Sequence, residues 1–231
     1  MPDLKLIAFD ADDTLWQNER FFRTTEAAFA DLLRNYADPD HLTERLLETE
    51  KRNLVRYGFG IKGFILSMIE TAIEVTEGKA PASVIQSILD TGQEMLRHPV
   101  ELLPHAAETV EALAKDHKVM LITKGDLFDQ ERKIAQSGLA EIFDAIEIVS
   151  DKQADTYRGF FTRYGDGADS AMMVGNSLKS DVIPALEAGG WGVFTPHDLT
   201  WSVEHAEKPD GHPRFREIAD LGALPDLIRD L

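Results

Sequence analysis

Two hydrophobic periods divide the chain. Residues 6–9 are a continuous apolar run that stops abruptly at Asp10-Ala11-Asp12-Asp13-Thr14. A short apolar run without alternation predicts a parallel strand buried on both faces. The period then becomes helical. Phe22, Thr25, Phe29, Leu32, Leu33 and Tyr36 recur at spacings of three and four, and the stretch 37–39 stops that helix. A second helix is predicted over 40–57, with Leu42, Leu46, Leu47 and Leu54 inward and Gly58 after it. A third carries Ile61, Ile65, Met68, Ala72 and Ile73. A fourth starts at Pro81, carries Val84, Ile85, Ile88, Leu89 and Met95, and closes at His98-Pro99. Four successive helices predict a small bundle inserted after the first strand, because that strand cannot form a sheet alone.

Strand–helix alternation then begins. Strands are predicted at 119–122, 145–149, 171–174 and 191–194. The helices between them are marked by Ala106, Val110 and Leu113, by Ile134, by residues 157–164, and by Val182, Ile183 and Leu186. The pattern predicts an α/β fold, a doubly wound parallel sheet with right-handed crossovers. Residues 1–16 and 98–231 form its core, and 17–97 form the helical insert. Each predicted strand but the last runs into a polar cluster: Thr123-Lys124-Gly125-Asp126, Ser150-Asp151-Lys152, and Gly175-Asn176 with Asp181. Ligands of open α/β sheets bind at these carboxyl ends.

The acidic cluster at 10–13 carries the chemistry. A helix cap and turn would account for one or two of its aspartates, not three. An EF-hand loop counted from Asp10 would need Gly where Leu15 stands and Glu where Phe21 stands, so it is excluded. The spacing offers Asp10 as a carboxylate nucleophile and Asp12, two residues on, as an acid and base. A divalent cation would offset the crowding of charge.

The composition narrows the partners. The net charge is −17, which argues against nucleic acid or an anionic membrane as partner. Cysteine is absent, so there is no disulfide framework and no thiol catalysis. With no signal peptide and no membrane-length apolar run, the expectation is a cytoplasmic monomer or homodimer acting on a small molecule.

The number, order and spacing of the four polar clusters resemble the motifs of the haloacid dehalogenase-like (HAD) hydrolases, and the insert resembles the helical cap of that superfamily's first cap class. The resemblance implies a Rossmann-like parallel sheet of order 5-4-1-2-3. It implies Asp10 as nucleophile, Asp12 as general acid and base, Thr123 on the phosphoryl oxygens and Lys152 as the neutralising lysine. Lys179 is the alternative lysine. Lys124 stands where relatives often carry Asn, and with Asn18 it is a candidate substrate contact. Asn176 replaces the first acid of the fourth motif. The implied cofactor is Mg²⁺, held by Asp10, the Asp12 carbonyl, Asp181 and Asn176. The implied activity is hydrolysis of a small phosphorylated metabolite through an aspartyl phosphate, with the cap closing over the site. The alternatives are another chemistry of the superfamily (2-haloacid dehalogenase, phosphonatase or phosphomutase) or a non-catalytic phosphate-binding protein. Trp16, Asn18, Arg20, Phe22, Arg56 and Tyr57 are candidates for substrate choice. Trp201, Glu204, His197, His205 and His212 read as loop and surface residues.

Overall fold

The computed structural model describes residues 3–231. Its sheet has six parallel strands in the order β3-β2-β1-β4-β5-β6. These are β1 (Leu6–Phe9), β2 (Lys118–Lys124), β3 (Ala145–Val149), β4 (Ala171–Gly175), β5 (Trp191–Phe194) and β6 (Phe215–Glu217). The first five have the expected order. The sixth, three residues long, adds an edge beside β5 from a stretch too short and polar to announce itself.

Side-chain alternation explains the unbroken apolar runs. Ile7, Phe9, Val119 and Leu121 enter one hydrophobic cluster, while Leu6, Ala8, Met120 and Ile122 enter another. Both faces of each central strand are therefore covered. The first cluster takes in Ala106, Val110 and Leu113 of α5 (Ala106–Leu113) and Leu224 of α9 (Leu224–Arg229). The second takes in Tyr157 and Phe161 of α7 (Ala154–Tyr164) and Ala185 of α8 (Ile183–Glu187). Full burial of one such large side chain contributes roughly 1.5–3 kcal/mol.

The chain divides into two compact units, one of residues 1–19, 100–124 and 130–231, the other of residues 20–99 and 125–129. The second unit holds α2 (Pro39–Tyr57), α3 (Ile61–Val75) and α4 (Ala82–Arg97), together with most of α1 (Glu19–Leu33). Its core is a separate cluster around Phe29, Leu33, Leu42, Leu46, Met68 and Ile88. Two inward positions differ from the periodicity. Leu47 and Leu54 are only half-buried, whereas Thr49, Glu50 and Asn53 are buried. A polar seam replaces part of the apolar stripe: Asn53 Nδ2 donates to Ser67 Oγ at 3.2 Å, and Ser67 Oγ donates to the Gly63 carbonyl. Tyr36 lies past the end of α1 and is exposed. Among the described residues, no helix is long and apolar enough to cross a membrane.

Candidate active site

The loop after β1 is a tight turn. The Leu15 and Trp16 amides donate to the Ala11 carbonyl, and the Asp13 amide donates to the Trp16 carbonyl at 2.7 Å. Asp13 takes the left-handed conformation, φ 59°. This turn sends the three aspartates to three different tasks.

Asp10 is buried. Lys152 Nζ donates to its Oδ1 at 2.5 Å and to Asp181 Oδ1 at 2.7 Å, and Thr14 Oγ1 donates to its Oδ2 at 3.0 Å. Lys152 arrives from the loop after β3, Asp181 from a π-helical turn, Leu178–Val182, after β4. One ammonium therefore faces two buried carboxylates. Burial, followed by the charge of Asp181, pushes the Asp10 carboxyl up to about 7, although Lys152 opposes both. Burial also works against the Lys152 charge, but the two carboxylates outweigh it and raise its pKa above the ordinary lysine value.

Asp181 is fixed from behind. Its Oδ2 accepts from the Ser177 amide at 3.0 Å, and Gly175 lies directly against it. A Cβ on Gly175 would stand 2.3 Å from Asp181 Oδ2, so only glycine fits.

Asp12 belongs to a second cluster. Lys133 Nζ lies 2.7 Å from each of its oxygens, Trp16 Nε1 donates to Oδ1 at 2.7 Å, and Gln130 Nε2 donates to Oδ2 at 2.8 Å. Burial alone would raise its pKa, but Lys133, Gln130 and Trp16 outweigh burial and hold it below the ordinary carboxylate value. Lys133 Nζ also reaches Asn18 Oδ1 at 3.2 Å, which is where the structure puts the Asn18 side chain. Lys133 and Gln130 escaped the sequence reading. Both lie on α6 (Leu127–Ser137), where two polar residues three apart read as an ordinary solvated helix face.

Asp13 is a cap. Its oxygens accept from the amides of Asn18 and Glu19 at 2.8–3.1 Å, ordering the entry to α1. His197 Nε2 stands 3.8 Å from its Oδ1.

The other anticipated residues are spread more widely. Thr123 is buried at the end of β2. Lys124 Nζ donates to Glu204 Oε1 and Ser180 Oγ, both at 2.6 Å, so its charge is matched inside the protein. Lys179 Nζ donates to the Val203 carbonyl. Glu204 is not a surface residue: its side chain is only 13% exposed. Arg56 and Tyr57 are exposed, and Tyr57 bonds Glu70. Phe22 packs on Phe64.

Asn176 tests the fit of a cation. Its amide tip lies 3.3 Å from Asp10 Oδ2 and 3.2 Å from the Asp12 carbonyl oxygen. With nitrogen turned toward them, the amide donates to both. With oxygen turned toward them, it accepts from Thr14 Oγ1 at 3.3 Å and faces two further oxygens, an arrangement that a cation among them would stabilise. Among the described residues, no three His, Asp or Glu side chains form a metal-holding group. The available donors are thus two carboxylates, Asp10 and Asp181, an amide and a carbonyl. That all-oxygen set fits a hard cation that retains waters, such as Mg²⁺.

A haloacid dehalogenase-like hydrolase family model matches residues 4–189. The chain is a haloacid dehalogenase-like hydrolase. A haloacid dehalogenase-like family hydrolase of Xanthomonas campestris is 45% identical, with TM-score 0.88, covering 99% of this chain and 91% of that one. A 2-haloacid dehalogenase of Pseudomonas syringae pv. Tomato is 24% identical, with TM-score 0.61, covering 98% and 99% of the two chains, and shares the fold. Among curated proteins, an NH3-dependent NAD+ synthetase of Pseudomonas putida is 26% identical over 193 residues, 82% of this chain and 68% of that protein. This HAD hydrolase thus spans about two thirds of that relative's length.

Proposed function

We propose that this HAD hydrolase is a Mg²⁺-dependent phosphatase of a small phosphomonoester. The observation that carries the reading is the pairing of two separately neutralised carboxylates: Asp10 against Lys152, and Asp12 against Lys133. A nucleophile attacking phosphorus needs a second group to handle protons, and Asp12 is kept apart from Asp10 with its own cation.

In this reading Asp10 attacks phosphorus and carries the phosphoryl group as an aspartyl phosphate. Lys152 lies against the Asp10 carboxylate and balances the charge of the transferring group. Thr123 binds a phosphoryl oxygen. Asp12 gives a proton to the leaving oxygen and then takes one from the water that cleaves the intermediate. Its three donors favour the ionised form, which suits the second step; for the first it must accept a proton in competition with Lys133. Asp10, the Asp12 carbonyl, Asp181 and Asn176 would hold Mg²⁺, which supplies electrostatic stabilisation of the phosphoryl oxygens.

The similarity to a 2-haloacid dehalogenase supplies the rival reading, in which Asp10 attacks carbon and releases halide without a metal. The Asp12–Lys133 arrangement would then have no task. The test is hydrolysis of p-nitrophenyl phosphate with Mg²⁺, with EDTA, and by Asp10→Asn. The phosphatase reading expects turnover only in the first sample. Chloride release from a 2-chloroacid in EDTA would replace it with the dehalogenase.

A further inference from the structure

Glu204 belongs to none of the four motifs, yet its carboxylate is the hub of the polar network behind the fourth. It lies in the stretch between β5 and β6, in a single 3-10 turn, Ser202–Glu204. Three side chains converge on it. Ser177 Oγ donates to Oε2 at 2.7 Å, Ser180 Oγ donates to Oε2 at 2.5 Å, and Lys124 Nζ donates to Oε1 at 2.6 Å. Lys124 Nζ also donates to Ser180 Oγ, so every polar atom of the hub has a partner.

The hub leads to the nucleophile without a break. Ser177 Oγ accepts from the Ser180 amide at 2.9 Å, closing the π-helical turn. The Ser177 amide donates to Asp181 Oδ2 at 3.0 Å. Lys152 then joins Asp181 Oδ1 to Asp10 Oδ1. Tyr157 supports the same turn by donating to the Ser180 carbonyl at 2.9 Å. A π-helical turn is a poor hydrogen-bonding geometry that persists where surroundings hold it, often at functional sites. Glu204 holds Ser177, which caps this turn, and Ser180, which lies on it; Asn176 precedes the one and Asp181 follows the other. Lys124, the residue after Thr123, is the other arm of the hub.

We infer that Glu204 is a positioning residue of the active site: by locking Ser177, Ser180 and Lys124 it sets the placement of Asp181 and Asn176 for a divalent cation. The inference rests on the phosphatase reading and extends it to a residue outside the family's motifs. Lys124, where relatives often carry Asn, and Glu204 form one unit, since a partly buried lysine needs a matching carboxylate.

The test uses the full chain with Glu204→Ala and the near-isosteric Glu204→Gln. Mg²⁺ binding is measured by calorimetry without substrate, alongside kcat and KM for p-nitrophenyl phosphate and the melting temperature. Removing a group that orients metal ligands typically costs about 10–100-fold in affinity or activity, and Glu204→Ala should fall in that range for both Mg²⁺ affinity and kcat, with KM changed only a few fold. Glu204→Gln, which can still accept from the serines, should lose less. Combining it with Lys124→Met, which removes the charge that Glu204 matches in the wild type, should recover part of that loss. Variants that match wild type in Mg²⁺ affinity and kcat overturn the inference, as does a lower melting temperature with both quantities unchanged. If Glu204→Ala does not fold, Glu204→Gln and the double variant decide by the same criteria. A wild-type chain that neither binds Mg²⁺ nor hydrolyses the ester removes the phosphatase reading and this one with it. A competent wild type with indifferent variants removes only this one.

Discussion

Three neighbouring aspartates carry the same functional group and receive three environments. Asp10 shares one lysine with Asp181, Asp12 has Lys133 with two further donors, and Asp13 caps a helix start. The division predicts distinct mutant phenotypes. Asp12→Asn should slow hydrolysis of an alkyl phosphate by about 10²–10⁴-fold, because an alkoxide needs its proton. The loss in the phosphoryl-transfer step should be smaller with p-nitrophenyl phosphate, whose leaving group departs without one. Equal losses in single-turnover kinetics on the two esters would contradict this assignment. Asn176→Asp should tighten Mg²⁺ binding by roughly tenfold, about 1.4 kcal/mol, because it adds a charged oxygen beside Asp10 and the Asp12 carbonyl. Unchanged affinity in calorimetry would mean that the amide does not face the cation. The spacing after the first apolar run singled out Asp10 and Asp12, and the motif resemblance singled out Lys152. Neither singled out Lys133, whose helix position looks like any surface lysine until the fold brings Asp12 to it.

At the scale of elements, the turns after β1 and β4 are where geometry is least forgiving. Gly175 ends β4 with Asp181 packed onto its Cα, so Gly175→Ala must displace the carboxylate or the strand end. Overpacking of this kind costs typically about 1–3 kcal/mol. The melting temperature should fall, and kcat should fall with it even where the variant is fully folded. The entry to α1 depends on Asp13. Burial, the largest influence, pushes its carboxyl up to about 6, against two amide donors and His197 that favour the charge. A folded-state pKa above the unfolded one means that the fold binds the proton more tightly. This group's contribution to stability is therefore present below pH 4 and is lost as pH rises toward 6. The shift corresponds to roughly 3 kcal/mol. Asp13→Asn, whose amide oxygen can keep both backbone bonds, should remove that part of the stability–pH curve. A denaturant titration series from pH 4 to 7 with the same slope in both proteins would refute it. The existence of these elements followed from hydrophobic period. The π-helical turn and β6 did not, because short elements of polar sequence are selected by their neighbours.

The whole molecule has separate cores. The sheet is sandwiched between two clusters, and the helical unit has its own around Met68 and Leu46. Met68→Ala should cost about 2–5 kcal/mol within the helical unit. Hydrogen exchange should then quicken in residues 20–99 before it quickens in β1 and β4. Uniform quickening across both would show the two units unfolding as one. The charge of −17 belongs to this scale too, since it bears on which large partners the surface repels and says nothing of the site's local field.

What the chain determined by itself was whatever depends on residues near one another in sequence. Unbroken apolar runs specify strands covered on both faces, a helical period specifies the insert, and polar clusters at strand ends mark where chemistry collects. The motif resemblance set Lys152 against the nucleophile; which other charges meet, the tertiary structure alone decided. Asp12 and Lys133 are separated by 121 residues, and Lys124 and Glu204 by 80. A carboxylate's partner, and with it its protonation and its role, is set by distances of a few ångströms, and local sequence pattern carries no information about contacts at that separation.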